Sequence, residues 1–438
     1  MKIIRFSPPD VGEEEAKAMS EAVLSGWITT GPRTRLLEQR LSAYVFRDGG
    51  RRIDAAEECP RALCVNSATA AEELALRLLG IGPGDEVIVP AYTFSATASA
   101  VLHVGATPVI VDIQKGGDAS SGAPEMDYDR LESAFTERTK AVVAVDVGGL
   151  ACDYRRIFDI AERQRSLFRP AKAKGDILSD MASRLQHALG RVAVLGDCAH
   201  SLGAYRLDEG ELRMSGDLAD FSSFSFHAVK NFTTAEGGAL LWRSVNGIGD
   251  REIFKMLQLL SLHGQSRDAM ERNQDNNWEY DILGPWYKCN MTDITAAMGL
   301  VQLDRYHGML ERRKALVNRY DQAMDRIGIW HVKHETKLMS SSRHLYMTRL
   351  PGISESERNR VIQRMAQEGV MLNVHFKPLP MMTAYRSLGF SERDYPNACE
   401  YYRNEITLPL YSKLTDEEVE RVIECYGRIA GEFIQDNS

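Results

Sequence analysis

One lysine, Lys230, lies in the segment SFSFHAVKNFTTAEGG (223–238), between a run that reads as a strand and a glycine pair. Most lysines are solvated surface charges. This one is followed by Asn, Thr and Thr rather than by further charges, and an amine held at such a turn can form a Schiff base. Upstream, VAVLGDCAHSLGA ends an apolar run on Asp197 and sets His200 three residues later. A lysine and a carboxylate are two of the supports that a pyridine-ring cofactor needs. The carboxylate keeps the ring nitrogen protonated, and the ring then takes up the electrons of a carbanion formed on the substrate. A further support is a flat cover on each ring face, for which Phe94, in PAYTFSATAS, and His200 are the candidates. The last is a phosphate cradle. Helix N-termini offer unpaired N–H groups and partial positive charge, and VNSATAAEEL places Ser67, Ala68 and Thr69 where a strand end opens a helix. Ser225, five residues before Lys230, adds a second hydroxyl. No Walker or GxGxxG pattern competes for phosphate, and no HExxH-type spacing offers a metal site.

These residues need a scaffold that brings them together. From about residue 60 to 245 short β-rich runs alternate with helical patterns, which predicts an α/β domain with a doubly wound, mainly parallel sheet. Seven strands are expected, at 62–66, 86–90, 107–113, 141–147, 192–197, 220–226 and 238–242. Helices such as ATAAEELALRLLG and FSATASAVLHVG lie between them, each apolar on one side and ended by glycine. In such sheets the ligand crevice lies beyond the carboxyl ends of the strands, and Asp197 and Lys230 fall at or just past such ends. The last third changes character. Helical segments at 293–327, 355–368 and 415–433 flank short strands near HLYMTRL and VMLNVHF, which predicts a smaller α+β domain. The expected boundaries are an N-terminal arm over 1–35, a large domain over 36–310 and a small domain over 311–438. Between 155 and 174 stand Arg155, Arg156, Arg163, Arg165, Arg169, Lys172 and Lys174. A solvated helix face and a basic loop that meets a substrate phosphate both fit this stretch.

A chain of 438 residues, 44% hydrophobic, exceeds one ordinary domain and can fill real cores. Its formal net charge of -8, with both signs interspersed, gives no general attraction to nucleic acid or anionic membrane. An anionic ligand must therefore be held by local groups. The start, MKIIRFSPPDVGEEE, lacks an apolar signal core, and no apolar run approaches membrane-spanning length, so a cytoplasmic location is expected. The seven cysteines are odd in number and form no CxxC pair, which argues against a disulfide framework and a thiolate zinc site. Cys198, beside Asp197, reads as a small core residue.

With these residues placed, the chain resembles the sugar-nucleotide aminotransferases of the DegT/StrS group, pyridoxal-phosphate enzymes of the aspartate-aminotransferase fold, fold type I. The resemblance runs over nearly the whole length, through SGWITTGP (25–32), GPGDEVIVPAYTFSATASAV (82–101), GATPVIVDI (105–113), DCAHSLGA (197–204), FSFHAVKN with AEGGA (224–239), NMTDITAAMGLVQL (290–303), RHLY (343–346) and LPLY (408–411). FHAVKN and YKCNMTD look closest to the members that make 4-amino-4-deoxy-arabinose on a UDP carrier. The resemblance implies Lys230 as Schiff-base lysine and proton carrier, Asp197 at the pyridine nitrogen, and Phe94 and His200 about the ring. It implies Ala68, Thr69 and Ser225 at the phosphate.

The reaction it implies moves an amino group from glutamate to a nucleotide-linked keto sugar, a UDP-4-keto sugar, for cell-surface polysaccharide or related biosynthesis. It also implies a homodimer whose sites borrow Tyr287–Met291 from the neighbour. Lys288 stands where many members have Asn, and Asn290 where many have Arg. Thr30, in a closing loop, and His375, in VHFKP, match segments near the sugar. Asp146 stands where members often have histidine and takes no role, and the stretch from Asp153 to Asp197 is longer than the family usually shows. Sugar 3-dehydratases of this fold replace the lysine with histidine, so Lys230 argues against that activity. The full set from Thr69 to Lys230 argues against a non-catalytic ligand sensor.

Overall fold

The computed structural model describes residues 2–48, 51–52, 59–267 and 279–435. Seven strands form the central sheet: β1 (Ala62–Val65), β2 (Glu86–Pro90), β3 (Thr107–Val111), β4 (Thr139–Val145), β5 (Ala193–Asp197), β6 (Phe221–Ser225) and β7 (Gly238–Trp242). Their spatial order is β1-β7-β6-β5-β4-β2-β3. Only β7 runs against its neighbours, β6 and β1; the other pairings are parallel. Every residue of β1, β2, β5 and β7 is buried, as a sheet covered by helices on both faces requires. The fold is the mainly parallel, seven-stranded one that the alternating pattern predicts.

Two helices matter for the site. α1 (Ala68–Leu78) starts at Ser67, whose hydroxyl caps it by accepting from the Ala70 amide at 3.1 Å. Its Leu74, Ala75 and Leu78 join the large core. α2 (Ser95–His103) starts at Phe94, which has extended backbone and no side-chain cap. Farther along, the 35-residue α3 (Asp293–Ile327) is capped by Thr292 and ended by Gly328 in the left-handed region at φ +73°. It leads into a small antiparallel sheet, β8 (Trp330–His331), β9 (Tyr346–Arg349) and β10 (Glu405–Leu408), in the order β8-β9-β10. α4 (Glu355–Gln367) and α5 (Asp416–Gln435) complete this part, and Leu316, Tyr320, Val361, Met365, Val422 and Tyr426 fill its own core.

The expected strand near VMLNVHF is not formed. Val370 bridges Ile4 and Asn373 bridges Thr407, each as an isolated pair. Met371 donates to the Ile4 carbonyl, and two residues later Asn373 exchanges both backbone bonds with Thr407. The segment changes partner too soon for a ladder. The third strand of the small sheet is EITL (405–408), which follows the helix Pro396–Asn404 directly, without the turn residues that mark a strand start. Among the described residues no helix is long and apolar enough to cross a membrane. Cys198 is 1% exposed and packs in the core.

Candidate active site

The strand ends converge on one cavity of about 590 Å³, lined by Ala68, Thr69, Phe94, Asp197, His200, Ser225, Lys230 and His375 of the sequence-predicted set. Topology explains the meeting. Asp197 ends β5 opposite Val145 of β4 and Ser223 of β6, Lys230 follows β6, Phe94 follows β2, and Ala68 and Thr69 follow β1. Parallel strands deliver their carboxyl ends to one edge of the sheet, and loops there can carry chemistry.

Lys230 stands in a tight turn, its amide donating to the His227 carbonyl at 2.9 Å. The next residue anchors that turn. Asn231 Nδ2 donates to the Ser342 carbonyl at 2.8 Å, so its Oδ1 is the acceptor for His344 Nδ1 at 2.9 Å. Burial brings the Lys230 amine down to about 8, against the opposing pull of the Asp197 charge. At pH 7.5 roughly a quarter of such amines are unprotonated, compared with about one in a thousand for an ordinary lysine. The Asp197 carboxylate is itself held on two sides. The Thr97 hydroxyl donates to Oδ2 at 2.8 Å and the Ala199 amide to Oδ1 at 3.2 Å.

Flat side chains build the walls. His200 Nδ1 accepts from the Gly148 amide at 3.1 Å, which leaves its proton on Nε2. Burial, then the charges of Lys230 and His375, push this imidazole well below its ordinary value, so it is neutral. Its ring lies 5.8 Å from Phe376 at 28° and 4.4 Å from His344. Phe94, 59% exposed, stands at the mouth with its ring 6.0 Å from Phe376. His375 bonds the Thr407 hydroxyl through Nδ1 at 2.9 Å and stacks on Phe6 at 5.4 Å; burial takes it down to about 3.

The first amides of a helix have no intrahelical acceptor, and Ala68 and Thr69 are the first two residues of α1. Gly238 explains how closely that end is seated. A Cβ there would stand 2.4 Å from the Ser67 carbonyl carbon, 2.5 Å from the Ala68 nitrogen and 2.7 Å from the Phe224 oxygen. Ser225 pairs with Gly238 across β6 and β7, so its hydroxyl is brought to the same end. An amine with a depressed value, a buried carboxylate, neutral aromatic walls and a helix N-terminus opening on one cavity fit pyridoxal phosphate in each of its parts.

Three predicted residues do not line this cavity within one chain. Lys288 Nζ donates to Asn290 Oδ1, Asn290 Nδ2 donates to the Thr30 hydroxyl, and Thr30 donates to the Met291 carbonyl. Lys288 instead borders a neighbouring hollow of about 340 Å³ on the other side of Ser67 and Thr69. Asp146 is buried and accepts from the Cys152 amide and the Tyr154, Ser201 and Ser215 hydroxyls, which makes it a structural anchor past β4. The basic stretch 155–174 stays on the surface, where Arg155 pairs with Asp159 and Glu209, Arg163 with Glu132 and Arg169 with Glu137. A larger hollow, of about 850 Å³, lies elsewhere. Its cations are engaged, Arg213 with Asp208 and Asp217, and Lys314 and Arg343 with Glu335.

Sequence reasoning missed Glu72, Thr97, Asn231, His344 and Phe376. Two of these carried a signal. Glu72 sits on the apolar side of α1 among Ala68, Ala71, Ala75 and Leu76, a charge on a face that is otherwise buried. Thr97 lies one turn from Thr93 in the first turn of a helix that opens at the strand end. His344 and Phe376 reach the site from the last third of the chain, and only tertiary folding shows that.

The comparisons agree with this geometry. The spore coat polysaccharide biosynthesis protein SpsC of Bacillus subtilis is 35% identical over 428 residues, 96% of this chain and 95% of its own. Spr1654 of Streptococcus pneumoniae, assigned as a sugar aminotransferase, is 48% identical in its PLP form, with a TM-score of 0.87 over 98% of this chain and 99% of that one. Its PMP form superposes equally well, at 47% identity over 99% of both chains. The fold is thus the type I fold of pyridoxal-phosphate-dependent aminotransferases. Sequence, fold and matched length converge, and the chain belongs to the DegT/DnrJ/EryC1/StrS aminotransferase family, whose sequence profile matches residues 9–168 and 173–426.

Proposed function

We propose that this aminotransferase moves an amino group from glutamate to the keto carbon of a nucleotide-linked sugar, a UDP-4-keto sugar, in cytoplasmic synthesis of a surface polysaccharide. The observation that carries the reading is the meeting of Lys230, Asp197 and the α1 N-terminus in one cavity. The likeness to a spore coat polysaccharide protein and to a protein assigned as a sugar aminotransferase supports the sugar acceptor. FHAVKN and YKCNMTD support the UDP-4-keto class.

Ala68 and Thr69 amides and the Ser225 hydroxyl would hold the phosphate of pyridoxal phosphate, Asp197 would meet the ring nitrogen, and His200 and Phe94 would flank the ring. When bound, this cofactor supplies a carbonyl for amine exchange and a protonated ring that takes up substrate electrons. Lys230 would hold the cofactor, and its amine would take the proton from the donor α-carbon. In the second half-reaction it returns a proton to the sugar carbon that receives nitrogen. Thr30 and His375 contact the sugar. Lys288 and Asn290 reach the phosphate of a neighbouring subunit in a homodimer, a role supported by their lying outside the cavity of their own chain.

The test is incubation with glutamate and a panel of UDP-, dTDP- and GDP-linked keto sugars, with products identified by mass and NMR. A UDP-linked 4-amino sugar is expected, and Lys230→Ala should abolish it. Amination by pure Lys230→Ala protein, or no amination of any keto sugar by the wild type, refutes the reading.

A further inference from the structure

Glu72, in the second turn of α1, is 4% exposed and lines the cavity beside Asp197. Its Oε1 accepts from the Ser223 hydroxyl at 3.1 Å. Its Oε2 is buried and meets no hydrogen-bond donor among the described residues. The carboxyl shares the cavity lining with Asp197 and feels its charge, and the two Asp197 oxygens already accept from Thr97 and Ala199. Two carboxylates so placed repel unless one of them carries a proton.

The surroundings decide which one. Burial, then the charge of Asp197, pushes Glu72 well above the ordinary carboxylate range. Asp197, for its part, faces the Lys230 amine, whose charged form it supports. The imidazoles of His200, His344 and His375 are neutral and offer Glu72 no counter-charge. A proton on Glu72 turns an orphaned oxygen into a donor and removes the repulsion at once.

We propose that Glu72 is a protonated carboxylic acid that donates to Asp197, a positioning residue for the carboxylate that meets the ring nitrogen of pyridoxal phosphate. It adds a third donor to Asp197, fixes its orientation and draws off part of its charge. The ring nitrogen then shares its proton with a weaker acceptor than a carboxylate held by two donors alone. The inference goes beyond the choice of sugar, and its measurements need neither amino donor nor keto sugar, so its failure is separable from failure of the proposed reaction.

Two measurements test it. Infrared difference spectra of wild type against Glu72→Gln at neutral pH should show the carbonyl stretch of one protonated carboxylic acid, shifting on deuteration, that the variant lacks. Holoenzyme is then reconstituted with pyridoxal phosphate carrying ¹⁵N in the ring. Glu72→Gln, whose amide N–H replaces the acid O–H, should keep the wild-type nitrogen signal. Glu72→Met, of similar volume with no donor, should shift the signal away from the fully protonated pyridinium, because the stronger acceptor draws the shared proton toward Asp197. An absent acid band, or Gln and Met variants whose nitrogen signals agree with each other, overturns the proposal.

Discussion

Gly238→Ala would test whether the phosphate cradle is built by close packing of backbone. The added Cβ would stand within 2.7 Å of three backbone atoms, in Ser67, Ala68 and Phe224, and none of them can swing aside as a side chain would. Regaining van der Waals contact at the Ala68 nitrogen needs a displacement of about 0.9 Å. β7 is locked between β1 and β6 by ladders on both edges, so the first turn of α1 gives way. Amides moved by that distance leave the range of roughly 2.7–2.9 Å that a charge-assisted bond to phosphate requires. Loss of two such bonds, at about 1.5–3 kcal/mol each, weakens cofactor binding by at least about 3 kcal/mol, on the order of a hundredfold.

The assay is titration of cofactor-free protein with pyridoxal phosphate, followed by visible absorbance, beside a denaturant melt of the same protein. Overpacking should cost the fold about 1–3 kcal/mol, so the variant is destabilised but folded. Gly308→Ala, whose Cβ would meet nothing within 4 Å on α3, is the control and should leave cofactor affinity unchanged. A Gly238→Ala protein with wild-type cofactor affinity would refute the reasoning.

Cofactor uptake by the apoprotein should quicken with rising pH through about 8 and level off above it, because the attacking amine is the unprotonated form and burial brings Lys230 to that value. The Asp197 charge holds the value up, so Asp197→Asn should move the inflection to lower pH; a stopped-flow inflection that stays put contradicts the pairing. In a homodimer with shared sites, Lys230→Ala and Lys288→Glu subunits should each be impaired alone and recover activity when mixed and reassembled. Each hybrid then has one site with Lys230 from one chain and Lys288 from the other, and a mixture no more active than its parts rules out the cross-subunit role.

Much of the site was legible because it lies at strand ends, where local sequence reports on both the element and its terminus. Asp197 closes an apolar run, Ser67 is an N-cap residue before an apolar-faced helix, and Lys230 follows a strand by five residues. The buried polar set was less legible. Thr97 and Glu72 lie on helix faces whose inward direction depends on how α1 and α2 pack, and periodicity alone assigns such faces to core. VMLNVHF failed for a related reason: its β-rich composition is real, but its hydrogen bonds divide between Ile4 and Thr407, far apart in sequence. Composition specifies a willingness to extend, and tertiary partners decide whether a ladder forms.

Of the four histidines that line the cavity with Lys230, three are strongly perturbed, and histidine is the usual proton carrier near neutral pH. In this site each is pushed down, His375 to about 3 and His200 and His344 well below their ordinary values, by burial first and then by neighbouring positive charge. Each also commits Nδ1 to the scaffold, His200 to the Gly148 amide, His344 to Asn231 and His375 to Thr407. The rings are therefore an uncharged wall. That wall excludes water, and exclusion of water is the main reason the Lys230 amine falls to about 8. A second cation in so small a space would cost more than the first, so of Lys230, His200, His344 and His375 only Lys230 titrates near neutral pH. The carboxylate of Asp197 decides its place: it opposes the burial of Lys230 and leaves that lysine as the group whose proton can come and go.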